Sequence, residues 1–175
     1  MWKPAPPSAA LPIAFVVLRI LVILNGIGGA AILTLLLVMP HEDWIIRALK
    51  LSGAPDAGQV VLGLRAVAVL GLVAVPLNHG ILKRLLAIVE TVRAGDPFVA
   101  VNAKRLQAIA WMLLAVQVLS LVIGAIGKTI SSPAHPVRLD AGFSVNGWLA
   151  VLLTFLLARV FAEGTVMRDD LEGTV

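Results

Sequence analysis

Apolar residues gather into four long stretches, at 11–39, 59–82, 106–127 and 143–162, and most of the charge lies between or beyond them. A hydrocarbon core about 30 Å thick is crossed by about 20 apolar residues of α-helix. Each stretch reaches that length. A helix covering a soluble core keeps one polar face, whereas these stretches are apolar almost all round. The pattern predicts an all-α integral membrane four-helix bundle. Residues 1–175 form one transmembrane domain, with a helical-hairpin corner at 83–105 and a tail at 163–175.

The start of the chain, MWKPAPPSAALP, raises the competing reading of a signal peptide. Such a peptide has an apolar core of about 7–15 residues and then a small-residue cleavage site. The run here is roughly twice as long and ends without an A-x-A step, which predicts an uncleaved first span.

Composition sharpens the membrane reading. Hydrophobic residues make up 59% of the chain and charged residues only 14%. Mean hydropathy is +0.98. A pI near 10.1 would suggest nucleic acid in a soluble protein. Here the basic residues border the spans, which reads as orientation signal and headgroup contact, with no direct nucleic-acid binding. The partner so implied is the lipid bilayer.

Orientation follows from Lys and Arg outside the spans. Lys3, Lys83, Arg84, Arg93, Lys104, Arg105 and Arg168 lie on one side, and Arg47, Lys50, Lys128 and Arg138 on the other. Positive charge favours the cytoplasmic side, so both termini are expected there, in a multi-pass protein of the cell inner membrane.

The connections differ in character. In HEDWIIRALKLSGAPDAG, residues Trp44, Ile45, Ile46 and Leu49 recur on one helical side, and Gly53 and Pro55 stop the run. This is either a short interfacial helix anchored by Trp44 or an extension of the first span. KTISSPAHPVRLDAG has two prolines and little periodicity, and reads as irregular or extended. In the second connection, helical spacing continues through Val92, and Gly95 suits a left-handed helix end. Asp96-Pro97 forces a turn. Phe98 and Val99 are expected to fold back onto the bundle end. Asn102 reads as the N-cap of a third helix starting at Ala103, with Arg105 just inside it.

GDPFVAVNAKRLQAIAWMLL and the tail ARVFAEGTVMRDDLEGTV resemble the two signatures of a bacterial membrane family, domain of unknown function 2975. The order of the two elements, the four-span layout and the length also match. The resemblance implies a small inner-membrane protein without an assigned activity. It further implies a genetic association with a small phage-repressor-type helix-turn-helix regulator, and so a protein partner linked to one.

Polar groups inside the membrane are the default place to look for function. Arg19, Arg65 and Arg159 each lie in a span. Each can snorkel along its alkyl stem to the nearer interface. Glu163 stands four residues after Arg159 and suits an ion pair on the same face. For Arg19 the functional reading is an inward guanidinium bound to Glu90, Glu163 or Asn78. Asn25, Asn78, His79, Gln107, Gln117 and Asn146 complete the polar set. Asn78 and His79 follow Pro76, which can kink the second span and mark a path, or reflect ordinary packing. Gly26, Gly28, Gly29 and Ala30 form a small-residue patch, with Gly26 and Ala30 at four-residue spacing, read as within-chain packing.

Several chemistries lack their residues. Cysteine is absent, which removes disulfides, thiolate metal sites and thiol redox work. His41, His79 and His135 sit on different segments, so no bis-histidine haem pair and no other cofactor is expected. No serine elbow, HExxH, phosphate-binding glycine loop or mid-membrane carboxylate occurs. Two readings remain. One is a non-enzymatic regulatory or sensory protein acting through partners at its corner (Gly95, Asp96, Pro97, Phe98, Asn102, Arg105) and its tail. The other is a small transporter or channel subunit built on Arg19, Asn78 and His79, with Arg159 and Glu163 completing the polar set. The corner carries a net +3 from Lys83, Arg84, Arg93, Lys104 and Arg105 against Glu90 and Asp96. The tail carries −3 from Glu163, Asp169, Asp170 and Glu172 against Arg168. That contrast predicts a helical tail, through about Leu171, docked on the corner with Phe161, Val166 or Met167 near Phe98.

Overall fold

The computed structural model describes residues 10–38, 45–47, 56–131 and 139–172, and these are helical apart from short joins. Four helices follow one another: α1 Ala10–Val38, α2 Ala57–Arg93, α3 Ala100–Ile130 and α4 Val145–Glu172. All four are long and apolar enough to cross a membrane, and the chain is a multi-pass membrane protein. Three helices outrun their apolar stretches at one end, α3 by starting six residues before 106. α2 continues eleven residues beyond 82 to Arg93, and α4 continues ten beyond 162 to Glu172. The bundle therefore has one end, here called the corner end, where helix projects past the span.

Each helix packs on its neighbour in sequence, α1 on α2, α2 on α3 and α3 on α4. Non-consecutive helices make no close backbone approach among the described residues. The result is an open row whose outer helices keep wide apolar faces; Ile13, Ile23, Leu37, Leu152 and Leu156 are all exposed. Acyl chains are as apolar as these side chains, so membrane helices associate through close packing and hydrogen bonds instead of burial from water. On α1 the side toward α2 runs through Leu18, Val22, Asn25, Gly29, Ile32 and Leu36 at three- and four-residue spacing. Within the small-residue patch only Gly29 works this way, because a side chain there would strike Val75 Cγ1 at 2.8 Å. Gly26 and Gly28 face open space, which corrects the expectation that the whole patch is a packing surface.

Antiparallel register follows from paired levels. Asn25 Nδ2 donates to the Val75 carbonyl at 3.1 Å, and Ile32 meets Gly71. Gly80 lies against Met112, and Gly63 against Ile130. Gly147 meets Gln117, and Phe155 packs edge-on against Trp111 with centroids 5.3 Å apart. Pro76 sits inside α2 without ending it.

The far end of the row is less even. α4 begins beside Gln117, thirteen residues short of Ile130 on α3, or about 20 Å along the helix axis. Residues 139–144 cover part of that distance as irregular chain laid along α3. Non-helical backbone at membrane depth needs partners inside the protein. Ser120 supplies them: its hydroxyl accepts from the Gly142 amide at 3.1 Å and donates to the Gly142 carbonyl at 3.2 Å. Gly142 has φ 133°, a region that side chains rarely adopt. The irregular part of the third connection is thus as expected, with residues 132–138 outside the described set.

After the first span only residues 45–47 are described, and they are helical. Ile45 is buried against Val61, with Leu36 and Leu64 around it. This short piece therefore packs on the bundle; Trp44, its expected anchor, lies outside the described residues.

Candidate functional site

At the corner, α2 ends with a full chain-reversal motif. Ala94 caps it, Gly95 follows at φ 88°, the Gly95 amide bonds to Val92 O and the Asp96 amide to Thr91 O, both at 3.1 Å. These are the two paired bonds of a Schellman ending, and they satisfy carbonyls that a helix end otherwise leaves open. Gly95 fills the left-handed position expected of it.

Asn102 departs from expectation. The helix begins at Ala100 with Val99 as its extended N-cap, φ −101° and ψ 139°, and no side chain caps it. Asn102 is the third helical residue, and its amide bonds to Val99 O at 2.8 Å. Its side chain reaches across the hairpin instead. Nδ2 donates to Thr91 Oγ1 at 2.7 Å and to Pro97 O at 2.9 Å, while Arg105 Nη1 donates to its Oδ1 at 2.9 Å. Arginine only donates and a carbonyl only accepts, so the orientation of this amide is fixed by its partners. Arg105 also donates to Ala87 O at 3.2 Å, and the Thr91 hydroxyl donates to Ile88 O at 2.7 Å. A continuous chain of donors thus ties α3 to the last turns of α2 around a fully buried Asn102.

The tail completes the corner. Phe98 folds back as expected and meets Phe161, with centroids 5.3 Å apart and planes at 32°. Gly164 leaves room for that ring: a side chain there would approach Phe98 at 3.2 Å. Thr165 is buried one residue on. Val166 and Met167 are 60% and 62% exposed, so of the three expected contacts only Phe161 forms. The ionic link is reversed relative to the net charges. Arg168, the tail's one base, pairs with Asp96, an acid of the basic corner, and Glu163 pairs with Arg159 at 2.7 Å within α4. Local geometry decides here because α4 lies along the corner through its own helical register, and net charge has no direction at contact distance.

The five intramembrane candidates are not brought together. Arg19 is exposed on α1, with its guanidinium 5.6 Å from the Phe15 ring centroid, and Arg93 approaches the same ring at 5.0 Å. Asn78 and His79 are half-buried on α2. Arg159 and Glu163 are exposed on α4. Since α4 touches neither α1 nor α2, these groups cannot share one site. The anticipated pairing of Arg19 with Glu90, Glu163 or Asn78 gives way to stacking on Phe15. A hollow on the α2–α3 face is lined by Val73, Leu77, Trp111, Leu114 and Val118 and is apolar.

Sequence reasoning missed Thr91 and Ser120, whose hydroxyls serve partners 11 and 22 residues away. A hydroxyl on an apolar helix was a signal, but only the folded register identifies its partner. No family model, curated protein or solved structure matches the chain.

Proposed function

We propose that this is a non-enzymatic regulatory or sensory protein of the cytoplasmic membrane, with both termini in the cytoplasm, acting through a protein partner held at its corner end. One observation carries the reading. Phe98, Val101, Val166 and Met167 fall outside the four apolar stretches of the sequence, and each is between 44% and 62% exposed on a framework fixed by the Asn102 network and the docked tail. Exposed apolar side chains within the spans are explained by lipid, whereas those outside them suit a partner. The polar residues of the spans converge on no common site, so nothing favours a transport path through Arg19, Asn78 and His79.

The resemblance makes a helix-turn-helix regulator the first partner to seek. Co-purification from native membranes should recover the same partner with the wild-type chain and with an Arg65→Lys control. Val166→Asp combined with Met167→Asp should lose it while membrane insertion is retained. Equal recovery on the double variant would refute the reading. Reporter fusions at Gly95 and at the carboxyl end should report the cytoplasm, and one at Gly142 the opposite side.

A further inference from the structure

We propose that the corner end of the α3–α4 groove is a binding site for one anionic phospholipid of the surrounding bilayer, with the phosphate between Lys104 and Arg159 and an acyl chain along Phe155. A cleft of about 420 Å³ opens there, within the size range of small-molecule sites. Lys104, Gln107 and Arg159 line it as polar groups, and Phe155, Ala103 and Ala158 as apolar ones. The two alanines are each 8% exposed, and their small side chains keep the helices close at the base of the groove. Trp111 fixes the Phe155 ring edge-on and is itself 58% exposed, so the apolar part of the cleft continues onto a lipid-facing surface.

Charge and depth select the occupant. Among the described residues Lys104 has no carboxylate partner. Arg159 gives its Nε hydrogen to Glu163, which uses one of five donors and leaves the Nη groups for a second acceptor. Lys104 precedes the α3 apolar stretch by two residues and Arg159 precedes the end of the α4 stretch by three. Both cations therefore stand at one membrane boundary, where lipid phosphates lie, and basic pockets between membrane helices suit anionic headgroups. A free anion would leave the Phe155 surface uncovered. A zwitterionic lipid brings its own cation beside Lys104. A second copy of the same groove would set like charges together.

The test is native mass spectrometry of the full chain released from detergent micelles, with phosphatidylglycerol and phosphatidylcholine of identical acyl chains. Wild type should retain phosphatidylglycerol in clear excess. Lys104→Gln with Arg159→Gln should lower its apparent affinity by about fivefold for each cation removed. Lys128→Gln, at the other end of α3, should leave it unchanged. Where circular dichroism shows that the double variant has lost helix, Lys104→Gln alone gives the reading, since that side chain is exposed. Equal retention of the two lipids, unchanged binding by the variants, or displacement of the lipid by millimolar inorganic phosphate would each overturn the proposal. So would a dimer that excludes lipid from the groove. Val166 and Met167 are untouched, so this test and that of the partner surface fail separately.

Discussion

The two ends of the row hold their non-helical chain by different means. At the corner the reversal takes six residues, 94–99, and closes on itself through Gly95, Asn102 and Arg105. At the far end, residues 139–144 lie along α3 and depend on that helix: Ser120 for hydrogen bonds, Gly124 and Gly127 for room. A side chain at Gly124 would meet Ala141 O and Gly142 Cα at 2.7 Å, and one at Gly127 would meet Leu139 Cδ1 at 2.8 Å. The corner is held by a network of polar side chains, and the far end by one hydroxyl, Ser120, and by the absence of side chains at Gly124 and Gly127. Polar networks fail when a member is removed, and close approaches fail when an atom is added.

The largest loss should therefore come from adding bulk at the far end. Gly124→Val places methyl groups against backbone, which cannot turn aside as a side chain can. We expect destabilisation of about 3 kcal/mol or more in reversible unfolding from mixed micelles. A loss below that of Gly28→Val, where space is open, would show that residues 139–144 do not rest on α3 as described.

Removing polarity at the corner comes next. Asn102→Leu takes one partner each from Arg105, Thr91 and the Pro97 carbonyl in a partly buried setting, for about 2–3 kcal/mol. Ser or Asp at 102 would restore part of the network and part of the stability. Were Asn102 merely an N-cap, Asp would restore nearly all of it.

This contrast also governs how much could be read in advance. Number, order and type of helices followed from apolar length alone, and Gly95 with Asp96-Pro97 announced the corner because those residues act on their own backbone. Asn102 stood out for the right place and the wrong role. Capping is a local rule, whereas Thr91 and the Ala87 carbonyl, reached through Arg105, belong to a facing helix. The α1 face toward α2 was hidden for a different reason. Lipid removes the polar side that marks orientation in a soluble helix, leaving Gly29 and Asn25 as faint markers in an apolar sequence. The scattered polar set failed as a site because sequence gives depth along each helix but not which helices touch.

Docking of the tail on the corner permits a third, smaller test. Phe98→Ala removes the ring contact with Phe161 and opens space beside Gly164, at a cost of about 1 kcal/mol beyond lost burial. Amide exchange in residues 163–168 should accelerate while that around Asn102 stays slow. Equal acceleration in both would mean that corner and tail form one cooperative unit.

The smallest effect belongs to Arg168 and Asp96. Their side chains are 44% and 42% exposed, so water and salt screen the attraction, and pairs of this kind contribute about 0–1 kcal/mol. Arg168→Ala should shift unfolding by no more than that, and the shift should vanish as salt shortens the screening length to about 3 Å near 1 M. The Phe98→Ala effect should persist under the same conditions, because apolar contact is not screened. Cysteines replacing Asp96 and Arg168 should still cross-link at high salt if the phenylalanine pair holds the tail in place. In the otherwise unaltered chain, tail exchange that quickens with rising salt would assign the docking to charge, and would make the tail a segment that ionic strength can release.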